Sequence, residues 1–218
     1  MEIDIWANNL LKDVCEKWKS LEGKYDFWKC GFGIFYSPVY ANPDLMVIGY
    51  NLGGDENSFN EEKALQLPTE HEYFMEDYLI ARKMKKLFNN IGKMNLLEKS
   101  IKFNIIFFRS INDIQWNSIN KEIRENIEKF CFVKVKEIIR KLKPKNIVTE
   151  GIKTYKILTQ TVLDNCYDTE CKTGIRGRRI YCKSKYGNTK VIGLIHPSGS
   201  RISNNEWAQI AGYLKEDL

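Results

Sequence analysis

Two short stretches hold residue types that could do chemistry together. They are Gly49-Tyr50-Asn51-Leu52-Gly53-Gly54 and Leu194-Ile195-His196-Pro197-Ser198-Gly199-Ser200-Arg201, one near the first quarter of the chain and one near its end. The Asn51 amide can hold and orient a water molecule by hydrogen bonding, but it is too weak a base to take the proton outright. Asp55, just beyond it, reads either as a stronger base or as a helix cap. A neutral His196 imidazole can point one N–H donor at an oxygen on which charge builds. Asn104, in Phe103-Asn104-Ile105-Ile106, can offer donor and acceptor together to the edge of a heteroaromatic ring, or tie down a loop from a strand end. Alone, each stretch is an ordinary turn. Their joint interest is that each is attached to an apolar run.

The elements that must position these residues alternate in the manner of an open parallel sheet covered by helices. Ile3, Trp6, Leu10, Val14 and Trp18 have helical spacing, ending before Gly23. After Asn42-Pro43-Asp44, the run Leu45-Met46-Val47-Ile48 reads as a buried strand that terminates at Gly49. Residues Phe74 to Ile91 read as a helix stopped by Gly92, and a second strand lies within Ile101 to Phe108. A long helix from Lys121 to Leu142 must stop at Lys143-Pro144, and Asn146-Ile147-Val148 reads as a third strand. Gly151 to Leu163 supplies another helix. Ile180-Tyr181-Cys182 and the turn Tyr186-Gly187-Asn188 lead to a last strand, Val191 to Ile195, and Asn204 to Leu214 closes as a helix. The fold expected is three-layer α/β/α around a central, mainly parallel four-stranded sheet, in a single domain over residues 1–218. In such a sheet the loops at the carboxyl ends of the strands share one crevice, where ligands bind.

Composition is compatible with this reading. The chain has 218 residues, 43% of them hydrophobic, enough for one sizeable core. Its formal charge of +6 favours polyanionic partners without proving them. Asp4, Asn8, Asn9, Lys12 and Asp13 interrupt the first segment, so neither a signal peptide nor a membrane span is expected, and a cytoplasmic, monomeric protein is. The six cysteines then read as free thiols, with Cys15, Cys30 and Cys131 packed in the core. Cys166, Cys171 and Cys182 lack metal-ligand spacing, and no metal or other cofactor is expected.

Gly49-Tyr50-Asn51-Leu52-Gly53 and Pro197-Ser198-Gly199-Ser200-Arg201 together resemble the uracil-DNA glycosylase superfamily, and most closely its mismatch-specific uracil/thymine branch. The lead-in Ile34-Phe35-Tyr36-Ser37-Pro38 with Asn42-Pro43-Asp44-Leu45-Met46-Val47, and the middle segment Phe103 to Ser110, are also similar. The chain departs from the branch at Leu52, where proline is usual. His196 is a feature of the wider superfamily, the second loop is one residue shorter, and the early Cys-x-x-Cys of cluster-bearing members is absent. The resemblance implies a DNA partner and a monofunctional enzyme that flips out uracil or a mismatched or modified pyrimidine and hydrolyses its N-glycosidic bond. Such an enzyme would serve either repair or attack on modified foreign DNA.

The resemblance also implies roles. Breaking the bond develops positive charge on the sugar and negative charge on the departing base. Asn51 would hold the water, His196 would donate to the pyrimidine O2, and Asn104 would read the base edge. Phe59 would stack on the flipped base and Gly49 and Tyr50 would line the pocket, although both aromatics also read as loop anchors. Ser198, Ser200 and Arg201 would contact DNA, with Ile202 beside Arg201 in the duplex gap. Arg176, Arg178 and Arg179 would extend the phosphate track, with Lys183 and Lys185 beyond. No lysine stands out as a Schiff-base nucleophile. Two competing readings are a non-catalytic nucleic-acid-binding protein on the same fold and a nucleoside- or nucleotide-acting hydrolase. The lack of a Walker-type glycine loop counts against phosphoryl transfer.

Overall fold

The computed structural model describes residues 2–54, 57–198 and 202–218. Its helices are α1 (Glu2–Lys19), α2 (Glu61–Ala64), α3 (Glu72–Met75), α4 (Leu79–Asn90), α5 (Met94–Glu98), α6 (Asp113–Ser118), α7 (Lys121–Leu142), α8 (Ile152–Ile157) and α9 (Asn204–Asp217). The strands are β1 (Leu45–Gly53), β2 (Ile101–Ser110), β3 (Asn146–Glu150), β4 (Tyr167–Thr173), β5 (Arg179–Tyr186) and β6 (Thr189–Leu194). They form one sheet in the order β2-β1-β3-β6-β5-β4.

Side-chain alternation divides the core between the two faces of this sheet. Met46 and Ile48 of β1 join α1, α7 and α8 on one face, while Leu45 and Val47 join Tyr73, α4 and α9 on the other. All four are fully buried, each contributing about 1.5–3 kcal/mol of transfer free energy. Helix α7 ends where Lys143 takes a left-handed backbone, φ 51°, and gives its N–H to the Ile139 carbonyl. Pro144 then prevents continuation, which delivers the chain into β3. Outside β2, residues 31–36 run antiparallel along the strand: Gly33 N–H donates to Phe107 O at 2.9 Å and Tyr36 N–H to Lys102 O at 2.8 Å. The exposed edge of β2 is thereby covered.

Four strands, β2-β1-β3-β6, are parallel as expected, but the sheet is larger and mixed. β5 pairs antiparallel with β6, and β4 antiparallel with β5. The expectation of four strands fails because β4 is exposed along nearly its whole length, so no apolar alternation marks it. β1 also continues past Gly49 to Gly53, carrying Asn51 within the strand. The stretch read as one helix from Phe74 divides into α3 and α4. A disulfide joins Cys171 to Cys182, correcting the free-thiol reading of those two, whereas Cys15, Cys30 and Cys131 are buried and not disulfide-bonded. Among the described residues, no helix is long and apolar enough to cross a membrane.

Candidate active site

Parallel register brings the residues together. Gly49 of β1 lies opposite Asn104 of β2, and the pairing of Ile48 with Thr149 sets Gly49 beside Glu150 of β3. Asn104 and Glu150 are 3% and 4% exposed and approach each other across the space that a side chain at position 49 would occupy. A Cβ on Gly49 would collide with Asn104 Oδ1 and lie 3.0 Å from Glu150 Oε2. Glycine is required there because its neighbours fill its side-chain volume, not because of an unusual φ.

Behind this row lies a buried polar layer. The Tyr73 hydroxyl donates to Glu150 Oε1, and burial, reinforced by the Glu150 charge, raises the phenol well above its ordinary pKa. The Tyr36 hydroxyl lies beside Asn104; burial, with the charge of Glu72 added, raises it also. Lys102, two residues before Asn104 on the same face, pairs with Glu72 at 2.8 Å and sits 4.9 Å and 5.0 Å from the ring centroids of Tyr36 and Tyr73. His71 caps α3 by accepting the Tyr73 N–H on Nδ1 at 3.2 Å, which leaves its Nε2 proton for Ser100 Oγ at 3.0 Å. Burial, with the Lys102 charge adding to it, lowers the His71 pKa to about 4, so this ring is neutral.

Asn51 sits two residues beyond Gly49, on the same face by alternation. Its Nδ2 donates to Ser110 Oγ at 3.1 Å, which fixes the amide, while among the described residues Oδ1 has no hydrogen-bond partner although it is buried. His196 follows β6 and lies next to Gly151, whose backbone is at φ +123° and where an added Cβ would be 3.4 Å from His196 Cδ2. Ser198 N–H donates to His196 Nδ1 at 3.3 Å. An Nδ1 that accepts places the ring proton on Nε2, so His196 presents an N–H donor.

Gly49 and Asn104 therefore share one row, level with the carboxyl end of β3, and Asn51 and His196 each lie two residues beyond that row, on β1 and after β6. Tyr50 and Phe59 stand elsewhere. Tyr50 packs against the opposite core, with Lys153 Nζ 4.1 Å above its ring. Phe59 packs on Trp18 and Phe32 at centroid distances of 5.0 Å and 5.6 Å, and fills the space beside Gly31. It also lines a surface depression of about 630 Å³ together with Tyr36, Ser58, Glu72 and Arg109. Ser198 is exposed at the second loop; Asp55, Ser200 and Arg201 lie outside the described residues. Arg176, Arg178 and Arg179 belong to the β4–β5 hairpin, at the same end of the sheet as His196.

Sequence reasoning passed over Glu150, Tyr73, Tyr36 and Ser110 as site residues. Glu150 had a signal, a carboxylate closing an apolar strand directly before Gly151, as His196 directly follows the apolar run Val191 to Ile195. No protein-family model matches the chain, and no curated protein matches it.

Proposed function

We propose that this chain is a monofunctional DNA glycosylase acting on a flipped pyrimidine-type base. The observation that carries the reading is the fixed Asn51 amide, whose Oδ1 has no hydrogen-bond partner among the described residues, two residues beyond the row that Gly49 forms with Asn104 and Glu150. Ser110 takes one side of the amide, so the remaining oxygen can accept a hydrogen from water and aim its lone pair at the anomeric carbon. An amide orients and does not deprotonate, so the leaving base must supply much of the driving force. His196, protonated on Nε2, donates to the pyrimidine O2 as negative charge develops there and stabilises the leaving anion. Asn104, whose Oδ1 faces Gly49 beside the Glu150 carboxylate, reads the Watson–Crick edge.

The test is base release from oligonucleotides containing uracil, mismatched thymine or bulky modified pyrimidines, with Asn51→Ala in parallel. Release by the unaltered protein, falling at least about 100-fold in the variant with DNA affinity within about threefold, is the expected result. Tight DNA binding by both proteins with no release from any substrate points instead to a non-catalytic binding protein.

A further inference from the structure

The row at Gly49 holds a carboxylate with donors on one side only. Glu150 is buried, and its Oε1 accepts from the Tyr73 hydroxyl. Among the described residues no group donates to Oε2 and no cation pairs with Glu150, the buried ammonium of Lys102 being paired with Glu72. A carboxylate withdrawn from water is stable when donors match its oxygens, so Oε2 is an acceptor that lacks its donor.

Asn104 turns a second acceptor to the same place. A Cβ on Gly49 would collide with its Oδ1 and lie 3.0 Å from Glu150 Oε2, so the two oxygens converge over the glycine. The Asn104 amide does not supply the missing hydrogen, because its Nδ2 is buried without a partner among the described residues. Two oxygens, one of them charged, that face one point with no hydrogen between them form a receptor for a group with two N–H bonds.

Pyrimidines differ in the atoms that would meet this pair. Uracil and thymine present one N–H, at N3, flanked on both sides by carbonyl oxygens, so giving that hydrogen to one acceptor presses a carbonyl oxygen toward the other. A cytosine-type base presents a 4-amino group with two hydrogens, one for Asn104 Oδ1 and one for Glu150 Oε2. His196 suits the same placement. It lies two residues beyond the row, about 6–7 Å at about 3.3 Å per residue, and presents an Nε2 donor, so a ring seated by its 4-amino group brings O2 within its reach. We infer, on the glycosylase reading of this site, that Glu150 is a specificity-determining residue which, with Asn104, selects a base bearing a 4-amino group, either cytosine or a cytosine modified elsewhere on its ring. Glu150 accepts one amino hydrogen and repels the O4 of uracil and thymine. Tyr73, by donating to Oε1, fixes the carboxylate so that Oε2 faces the row.

The experiment is equilibrium binding of the full chain to short duplexes whose test nucleotide carries a 2′-fluoroarabino sugar, which resists cleavage of the glycosidic bond. The test base is cytosine, uracil or 2-pyrimidinone, which lacks the 4-amino group without adding bulk, and it stands opposite an abasic site so that flipping breaks no base pair. Base release is followed in parallel on the 2′-deoxy counterparts. Cytosine should bind about 10- to 100-fold more tightly than either other base. Glu150→Gln keeps an oxygen for Tyr73 and places an amide N–H where Oε2 was, so it should tighten uracil binding, weaken cytosine binding and bring the two within about threefold. A purely structural role would weaken all three alike. Uracil or 2-pyrimidinone bound as tightly as cytosine, a Glu150→Gln variant that keeps the original preference or weakens all three equally, or no binding of any duplex overturns the inference. A cytosine preference that depends on Glu150, with no base released from any deoxy substrate, leaves the amino-group recognition standing and removes the glycosylase reading, whereas release confined to uracil keeps the glycosylase and removes this role of Glu150.

Discussion

At the scale of single residues, the candidate site depends on side chains that aim other side chains. Ser110 is the clearest case, because its Oγ accepts from Asn51 Nδ2 at 3.1 Å and lies 3.3 Å from the Asn112 carbonyl, which receives its proton. Ser110→Ala removes this restraint without opening a large cavity. It should lower kcat about tenfold, with KM nearly unchanged, because the oriented water matters more in the transition state than in substrate binding. An equal fall in Ser110→Ala and Ser110→Thr would show a packing effect instead, since threonine keeps the hydroxyl. Gly49→Ala acts on the same row from the other side. Its methyl group meets Asn104 Oδ1 and Glu150 Oε2, and the resulting shift should cost about 1–3 kcal/mol in urea denaturation. Gly49, Asn51 and His196 were legible in the sequence because each follows an apolar run, and Asn104 because it is the polar residue that interrupts one. Tyr36, Tyr73 and Ser110 were not, because they reach the site from a covering segment, a short helix and a strand end, through contacts that no periodicity encodes.

At the scale of elements, buried strands and long helices could be read from pattern, and the exposed hairpin could not. Helix α7 runs from Lys121 to Leu142 as its spacing and Pro144 dictate, and β1, β2, β3 and β6 each contain the apolar run that marks them. β4, Tyr-Asp-Thr-Glu-Cys-Lys-Thr, has no apolar face to alternate because one side of it meets solvent and the other is largely open. Pairing to β5 is what makes it a strand, and the Cys171–Cys182 disulfide fastens directly paired positions of the two. A cross-link spanning 11 residues removes unfolded-state freedom amounting to about 2–3 kcal/mol. The double variant Cys171→Ser, Cys182→Ser should therefore unfold at lower urea by that amount. Reductant should shift the unaltered chain and leave the double variant unmoved. Identical midpoints with and without reductant would show that the cross-link adds no stability. β5 itself should keep its place in the variant, because Ile180, Tyr181 and position 182 are buried against the sheet and β6 pairs along its length.

At the scale of the whole molecule, the polar layer beneath the site makes stability depend on pH through one neutral histidine. His71 is 4% exposed, accepts from the Tyr73 backbone, lies near Lys102, and has its pKa lowered to about 4. In the unfolded chain the same imidazole titrates at its ordinary value of 6.5. Above about pH 7 both states hold it neutral, and it contributes no pH dependence. Below the ordinary value the unfolded chain takes up a proton that the folded chain refuses, so unfolding becomes progressively easier as pH falls. The loss stops growing once the folded ring also protonates near pH 4, by which point it amounts to about 3 kcal/mol. Urea midpoints measured across this window should fall more steeply for the unaltered chain than for His71→Asn, whose amide can still cap α3 but cannot charge. Matching slopes would show that His71 is not the group responsible. Because His71 seats Tyr73 and Tyr73 holds Glu150, charging this ring should disturb the row at Gly49 before the sheet unfolds. Since the folded ring charges only near pH 4, any loss of base release through His71 should appear at the acid end of the range over which stability falls, and His71→Asn should remove that step.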